Sequence, residues 1–292
     1  MGLILAFSAH AGYLPPPNSP YPTGLNNQRL LNYFTNLTVF GDVDVSIKTG
    51  SSDSFMIITG DQRDIPNLIV TEKNDTLTIG MKYGYPEYGT MHLEISTRFL
   101  NDLTVQDYSG HLEAVDLNSP YINLNLDNSG SIFLRGKMGV HHLNVSSGGI
   151  VKIQGINSQS LNINLSDNPK VYLTGMANLK HLNAHGAGHL QLYWVDSDTL
   201  TVSQHDKTYI ELAGIANRLE LKATDASYFD GRYLRVKNTY IKSYDTATVS
   251  LQSLKSRAAV AYDDSTIGFY GKPPFRSDLM ANNGAVLDMN MH

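Results

Sequence analysis

Hydrophobic and polar residues alternate along this chain in short runs, and from Leu103 onward the runs recur about every 19 residues. Each repeat opens with an apolar–polar–apolar triplet, passes a small or acidic turn, and continues with a second apolar triplet that is usually followed by glycine. A fixed period near 20 residues is typical of a solenoid, because one unit can bury its apolar face only against a stacked neighbour. The openers of the nine repeats are Leu103, Ile122, Leu143, Leu161, Leu182, Leu200, Leu219, Thr239 and Ala258.

The same alternation predicts the secondary structure. Strict alternation over residues 43–47 indicates a strand with one buried and one solvated face, and no helical periodicity of useful length occurs. Short strands stacked at this period favour an all-β fold, a parallel β-helix with coils of ~19–20 residues. We expect one β-helix domain at 37–275, with irregular opening coils at 37–100 that cap one end, regular coils at 101–275, and a C-terminal cap or tail at 276–292.

Two columns of residues mark the turns of the predicted coils. Glycine follows most second triplets, which indicates a corner with positive φ, although Trp194 and Ser253 interrupt this column. Aspartate is frequent in the other column, six residues after each opener. These aspartates either form Asx-turns with their own backbone, which we favour, or stack to bind Ca²⁺. The column comprises Ser109, Asn128, Gly149, Asp167, Gly188, Asp206, Asp225, Asp245 and Asp264.

Outward polar residues supply one candidate binding surface. The apolar residues of each opening triplet point inward, so the asparagines between them point outward, about 4.8 Å apart in stacked coils. We expect them to form one column whose amides hydrogen-bond up the stack and face a partner. They are Asn123, Asn144, Asn162 and Asn183.

A tyrosine-rich loop supplies the other candidate. Tyr83, Tyr85 and Tyr88 lie close together around Gly84 and Pro86. Tyrosine offers large contact area at low conformational cost and is enriched at interfaces. The loop either binds a protein or glycan partner or folds onto the first coil as a cap.

The N-terminal residues indicate export. Leu3 to Phe7 is an apolar run followed by a small-residue Ala-x-Ala pattern, so we interpret residues 1–11 as the remnant of a truncated signal peptide, although no basic residue precedes the run. Residues 12–36 begin with a proline-rich stretch that favours an extended arm. The arm is either a docking tether or a leader that lies loosely on the domain. We expect the protein in the periplasm, associated with the outer membrane, or at the cell surface.

Composition and spacing exclude several classes of function. The net charge is −5 and the 22 Lys and Arg residues form no basic run, so we expect no nucleic-acid partner. No cysteine is present, which excludes disulfides and Cys-ligated metals. No stretch approaches the ~20 apolar residues of a membrane helix. His181, His185 and His189 fall across a turn and two strands rather than on one helix face, so we expect no metal and no cofactor.

A catalytic β-helix would need carboxylates with a basic partner on one exposed face. The outward positions of the second triplets carry no acid pair with a basic neighbour, so we expect no enzyme. These positions are Phe133, Lys152, Tyr172, Gln191, Glu211, Tyr228 and Ser250.

Specific strands and turns carry a family resemblance. They are the opening strand at 41–47, the small-residue turns at 109–110, 128–130, 146–149 and 186–188, and the closing strand at 265–271 with Pro273. Over residues 37–275 the chain resembles the auto-transporter adhesin "head GIN" family of bacterial secreted and envelope proteins. It departs from that pattern where Asp167, Asp206, Asp225 and Asp245 replace Gly-Ser-Gly turns. The resemblance implies a right-handed parallel β-helix with an adhesin-like role and brings no catalytic residues.

Three functions remain open from the sequence. The chain is an exported, non-enzymatic binding module that contacts glycan or protein through exposed Asn, Thr and Tyr side chains. Alternatively, it is a structural part of a multi-protein cell-envelope or secretion assembly, docked by its arm and coil ends. A carbohydrate-active enzyme on a β-helix is the lesser alternative.

Overall fold

A computed structural model describes residues 27–271 and 276–289, and these fold into a β-solenoid of about nine turns. The described part of the chain contains one short 3₁₀-helix, Ile65–Asn67, and no helix long and apolar enough to cross a membrane. All neighbouring strands of the regular coils pair in parallel, which confirms the predicted parallel β-helix. The predicted signal-peptide remnant and most of the proline-rich arm lie outside the described residues.

Eight short strands form the opening section. They are β1 (Asn27–Leu30), β2 (Asn36–Gly41), β3 (Asp44–Thr49), β4 (Phe55–Thr59), β5 (Leu68–Lys73), β6 (Thr76–Met81), β7 (His92–Thr97) and β8 (Asp102–Tyr108).

The opening section stacks out of chain order. Strand β2 lies between β6 and β8 and is parallel to both, so the coil that contains β6 and β7 is outermost. Tyr108 fixes the inner position of the first coil, because its buried hydroxyl donates to the carbonyl oxygen of Val43 at 2.7 Å. Strand β5 then pairs antiparallel with β6, β4 with β7, and β1 with β4. Antiparallel strands therefore cap this end, where the sequence predicted coils of the same construction with longer loops.

Residues 27–36, which the sequence assigned to the arm, pack on the solenoid. They contain β1, and Phe34 lies in the apolar core.

Eight long strands form the regular coils. They are β9 (His111–Asn128), β10 (Ser131–Ser146), β11 (Ile150–Leu165), β12 (Lys170–Ala184), β13 (His189–Gln204), β14 (Tyr209–Ala223), β15 (Tyr228–Ser243) and β16 (Thr248–Tyr262).

Each long strand bends twice and so has three segments. In β11 the first segment is 150–154, the second lies at 156–158, and the third is 161–165, with register shifts between them. Leu161 and Ile163 are fully buried, as are their counterparts in neighbouring coils. Burying one such side chain contributes roughly 1.5–3 kcal/mol, so the aliphatic ladder inside the tube dominates the stability of the fold.

The first corner needs a left-handed backbone, as the glycine column predicted. Gly175 has φ +124°, and a Cβ at this position would overlap the carbonyl oxygen of Ile156 in the preceding coil. Trp194 occupies the same corner of the next coil with φ +72°, and its side chain is 70% exposed. The indole therefore projects into solvent from a strained backbone position.

The C-terminal end continues the stack with three short strands, β17 (Thr266–Tyr270), β18 (Arg276–Asn282) and β19 (Ala285–Asp288). Strand β18 pairs in parallel with β16, and β19 with β17. Within the described residues, no strand pairs with the outer edge of β18 or β19. Leu279, Met280 and Leu287 are exposed at this end.

Candidate functional site

The third strand segments together present a regular outer surface, which we call the grid face. Each coil contributes outward side chains to three parallel columns. The first column is Asp102, Asn123, His142, Asn162, His181, Thr201, Glu220, Tyr240, Ala258 and Asp278. The middle column is Thr104, Asn125, Asn144, Asn164, Asn183, Ser203, Lys222, Lys242, Val260 and Met280. The third column is Asp127, Ser146, Ser166, His185, His205, Thr224, Tyr244, Tyr262 and Asn282.

An asparagine ladder occupies the middle column. The side-chain amide of Asn144 donates to the Asn125 oxygen at 2.6 Å, that of Asn164 to Asn144 at 2.7 Å, and that of Asn183 to Asn164 at 3.1 Å. These bonds hold four amides in one orientation along the solenoid. Outward asparagines therefore bond up the stack, but the ladder runs through Asn125 and Asn164, and no two of the four predicted asparagines bond to each other.

The prediction that Asn123 and Asn162 belong to this column was wrong. Both belong to the first column, where His142 lies between them. Asn123 donates to the Asp102 carboxylate at 3.0 Å, and Asn162 donates to the backbone carbonyl of His141 at 3.5 Å. The physical reason is the register, since Leu143 aligns with residues 124 and 163 rather than with the openers at 122 and 161. Sequence reasoning missed Asn125 and Asn164, although they follow the predicted pair by two residues.

Two hollows lie along the grid face. One of about 490 Å³ is lined by the asparagine ladder and its polar neighbours, from Thr104 to His185. The other, of about 470 Å³, lies over the C-terminal coils between Thr201 and Met280. The grid face is therefore recessed at both hollows. Amides and hydroxyls line the first hollow, and charged, apolar and aromatic side chains line the second.

The second hollow is lined by two lysines and by two carboxylates, those of Glu220 and Asp278, together with apolar and aromatic groups. Lys222 and Lys242 are aligned in adjacent coils, and both side chains are exposed. Ala258 and Val260 lie in the next coil, where their short side chains leave the hollow open. Two like charges ~4–5 Å apart repel by about 1 kcal/mol in water. The sequence analysis did not recognise this pair, whose signal is the 20-residue spacing of two outward lysines.

One tyrosine, Tyr240, lines this hollow, and two more lie near it on the grid face. Tyr240 and Tyr244 flank Lys242 on the same strand face, at the first and third columns. The rings of Tyr244 and Tyr262 stack with centroids 4.7 Å apart and an interplanar angle of 4°. The guanidinium of Arg218 lies 4.2 Å from the ring centre of Tyr240 and thereby supports its orientation.

The predicted tyrosine loop is anchored at its backbone while its rings remain exposed. Asp64 is fully buried, and its carboxylate accepts the backbone N–H groups of Glu87 at 2.8 Å and Tyr88 at 2.9 Å. Tyr83, Tyr85 and Tyr88 nevertheless expose 55%, 58% and 49% of their surface. The loop is therefore fixed to the capped end while its rings stay exposed, and partner binding by these rings stays a prediction.

The loop and the grid face are different surfaces. The loop belongs to the outermost coil, between β6 and β7, whereas Asn144 and Asn183 lie on regular coils. The guanidinium of Arg63 lies 3.9 Å from the centre of the Tyr88 ring. The ammonium of Lys82 lies 5.3 Å from the centre of the Tyr83 ring. The loop is thus a separate aromatic patch with its own positive charges.

The turn aspartates bond between coils rather than within their own turns. The carboxylate of Asp225 accepts the backbone N–H of Asp206 at 3.1 Å, and that of Asp245 accepts the N–H of Asp225 at 3.1 Å. Asp167, Asp206, Asp225 and Asp245 have positive φ, as does Asp263, so Asp263 and not residue 264 continues this column. Hydrogen bonds from the Thr224 hydroxyl and then from the Asp206 backbone lower the pKa of Asp225. We interpret the column as a structural ladder.

An acid pair with a basic partner does occur on the first strand segments, contrary to the sequence analysis. Asp230, not Tyr228, aligns with Glu211, because Tyr228 takes the first position of its strand opposite Tyr209. Asp230 is buried, and its carboxylate accepts Arg232 Nε at 2.9 Å and Nη2 at 2.5 Å. Burial alone would raise the pKa of Asp230, but the bonds from Arg232 outweigh it and lower that pKa.

Glu211 is also occupied by protein donors. It accepts the amide of Gln191 at 3.0 Å and the hydroxyl of Tyr193 at 2.8 Å. Burial and the bond to Glu211 raise the pKa of Tyr193. Both carboxylates of the pair are therefore occupied by protein donors: Glu211 bonds to the preceding coil, and Asp230 bonds to Arg232 on its own strand.

The three histidines spaced by four occupy three separate columns. His181 lies in the first column of the grid face and His185 in the third, whereas His189 begins a first segment and packs edge-on to Tyr209. No group of three or more His, Asp or Glu side chains able to hold a metal ion occurs within residues 27–271 and 276–289.

The sequence profile of one protein family matches most of the chain. The family is described as "Putative auto-transporter adhesin, head GIN domain", and it matches residues 33–180 and 174–273. No curated protein matches the chain.

Several solved structures resemble this one in fold. A "putative adhesin" from Parabacteroides merdae ATCC 43184 is 15% identical, with a TM-score of 0.49 over 91% of this chain and 97% of that chain. A "putative lipid binding protein" from Parabacteroides distasonis ATCC 8503 is 13% identical, with a TM-score of 0.44 over 91% and 97%. A "putative adhesin" from the same organism is 12% identical, with a TM-score of 0.43 over 90% and 96%.

Proposed function

The chain belongs to the auto-transporter adhesin family with the head GIN domain, and on that basis we propose that it is an exported, adhesin-like module that binds glycan through its grid face. The family match confirms the resemblance carried by the strands and turns. Export to the bacterial envelope or cell surface is part of the proposal and rests on the family and on the apolar run near the N-terminus.

The asparagine ladder is the observation that carries the proposal. Asn125, Asn144, Asn164 and Asn183 hold their amides in a fixed row by bonding to one another, so little conformational freedom is left to lose when a partner binds. Amides donate and accept hydrogen bonds, as sugar hydroxyls do. A row that repeats every ~4.8 Å suits a repeating polymer better than an irregular protein surface.

The non-enzymatic part of the proposal rests on the carboxylates. Glu211 and Asp230 are aligned in adjacent coils, but Gln191, Tyr193 and Arg232 occupy their oxygens. A general acid or base must reach the proton that it transfers. Glu211 instead bonds to the preceding coil, and Asp230 is neutralised by Arg232 on its own strand.

A glycan array with wild-type protein and two variants tests the proposal. In the first variant Asn144 and Asn164 both become Ala, and in the control Asn157, exposed on the second strand segment and outside the grid face, becomes Ala. We expect wild type and control to bind the same neutral glycans and the double variant to lose about tenfold or more in affinity. Absence of any glycan binding by wild type, or equal binding by all three proteins, would overturn the proposal.

A second candidate function is a structural role in an envelope assembly. The observation that favours it is the C-terminal end, where β18 and β19 have free outer edges within the described chain and Met280 and Leu287 are exposed. Unpaired strand edges invite pairing with another chain. Affinity purification from envelope extracts checks this role, since a stoichiometric partner should be captured by wild type and lost when Leu279 and Leu287, which lie outside the columns of the grid face, are both changed to Lys.

A further inference from the structure

We propose that Lys222 and Lys242 form an anion site that binds the carboxylate or sulfate group of an acidic sugar. The inference rests on the proposed glycan binding by the grid face, and it names the chemical class that the C-terminal half of this face selects. The asparagine ladder offers only neutral amides, whereas the two lysines offer positive charge in the same column. One face would therefore contact neutral and acidic units of a single polymer.

The two ammonium groups lack a carboxylate partner. Lys222 and Lys242 are aligned in adjacent parallel strands, and neither forms an ion pair within the described residues. The nearest acidic side chain on the strand of Lys222 is Glu220, and its Oε1 accepts Arg218 Nε at 2.7 Å. Asp278 lies two coils beyond Tyr240, at the far edge of the hollow. An external anion placed between the lysines would replace their mutual repulsion with two charge-assisted hydrogen bonds.

The surroundings of the lysines match a sugar ring rather than a free inorganic anion. Ala258 and Val260 line the hollow beside Lys242, and Tyr240 lines it next to Ala258. Apolar floors and aromatic borders contact the C–H face of a sugar ring, while the polar groups fix its orientation. The hollow has a volume of about 470 Å³, which accommodates a short oligosaccharide but leaves a small ion mostly in solvent.

A lipid bilayer fits this site less well than a glycan. The lysines lie within a hollow, whereas a protein that docks on a membrane presents apolar and basic groups on a protruding or flat face. Nucleic acid is disfavoured because the chain carries a net charge of −5 and no other basic cluster occurs on the described grid face.

Calorimetric titration with three probes tests the site. The probes are an oligogalacturonate, a sulfated heparin oligosaccharide and a neutral oligosaccharide selected on the glycan array, each at about 50 and about 300 mM salt. The test variant changes Lys222 and Lys242 to Gln. The control variant changes Lys152 and Lys170 to Gln, which removes the same charge from exposed positions on first segments of adjacent coils.

We expect wild type and the control variant to bind at least one acidic probe with an affinity that falls as salt rises. The test variant should lose about tenfold or more of that affinity and keep its binding to the neutral probe. Equal binding of acidic probes by the test variant, or equal loss in the control variant, would overturn the anion site while leaving the proposed function intact.

Two further outcomes distinguish the proposals. If no probe binds wild type, neutral or acidic, the proposed function and the anion site fail together. If vesicles of phosphatidylglycerol bind wild type and not the test variant, while the acidic sugars do not bind at all, the lysines recognise a lipid headgroup and the sugar assignment is wrong. Because both lysines point to solvent, circular dichroism should show the test variant folded as wild type.

Discussion

Asn164 donates its side-chain amide to the side-chain oxygen of Asn144 at 2.7 Å, one coil away in the stack. Asn144 in turn donates to Asn125, so it takes part in two bonds of the ladder. We expect Asn144→Ala to lower the free energy of unfolding by about 1 kcal/mol, because two side-chain hydrogen bonds are lost, one part-buried and one exposed. Urea denaturation measures the effect. The control Asn157→Ala should change it by less than about 0.5 kcal/mol, and equal effects of the two variants would contradict the ladder's contribution.

The inward and outward assignment of one strand gives a second prediction. Leu161 is fully buried, whereas Asn162 is half-buried and faces out. Leu161→Asp should cost more than the ~2–5 kcal/mol of a core truncation, because it also buries a charge. Asn162→Asp should cost less than about 1 kcal/mol, since its one bond is long. Similar shifts in melting temperature for both variants would show that the assignment is wrong.

The fold could be predicted from the sequence, whereas the register between coils could not. Alternation fixes which residues face inward, and the period fixes the stacking. A slip of two residues, however, leaves every apolar side chain facing in, so hydrophobicity cannot distinguish Ile122 from Leu124 as the partner of Leu143. Corner lengths and backbone hydrogen bonds decide this, and they choose Leu124. Asn123 was therefore placed in the wrong column.

The same slip explains why the sequence analysis missed the acid pair, since Glu211 and Asp230 come together only when the first segments are aligned by their true register. The lysine pair could have been found, because the openers Leu219 and Thr239 do align and Lys222 and Lys242 each follow by three residues. The tyrosine loop was recognised from composition alone, because three tyrosines close in sequence remain close in space. The buried carboxylate of Asp64 that anchors the loop lies 23 residues before Glu87 and gives no local signal.

The first corner of the coils gives a prediction with opposite signs at two positions. Gly175→Ala should destabilise the protein by several kcal/mol, because the new Cβ overlaps the Ile156 carbonyl at a φ that only glycine adopts freely. Trp194→Gly should stabilise it by about 1 kcal/mol, since an exposed side chain in the left-handed region is strained. Thermal denaturation of both variants and of wild type gives the melting temperatures that test these two signs. Gly89→Ala, with open space around the new Cβ, should be neutral, and a destabilising Trp194→Gly would contradict the strain argument.

The turn ladder predicts a dependence of stability on pH. The pKa of folded Asp225 is lowered by the Thr224 hydroxyl and the Asp206 N–H, so its ionised form stabilises the fold above the unfolded value near 3.9, and this contribution is lost as the pH falls toward the folded pKa. Asn tolerates positive φ and still accepts the Asp206 N–H, so Asp225→Asn should retain the turn. We expect its urea midpoint to fall less than that of wild type between about pH 5 and pH 3. Parallel pH profiles would exclude the contribution.

The anchored tyrosine loop gives the last prediction. Asp64 is buried and holds the loop through the backbone N–H groups of Glu87 and Tyr88, so Asp64→Ala removes two charge-assisted bonds and releases the segment. We expect trypsin to cleave after the exposed Lys82 about tenfold faster or more in this variant, because proteolysis follows the population of the open loop. The control is Asp53→Ala, which changes an exposed carboxylate in the loop between β3 and β4. This control should be cleaved after Lys82 at the wild-type rate. If Asp64→Ala leaves the cleavage rate after Lys82 unchanged, the two backbone bonds do not determine the position of the loop, and the exposed rings must be held by contacts of their own.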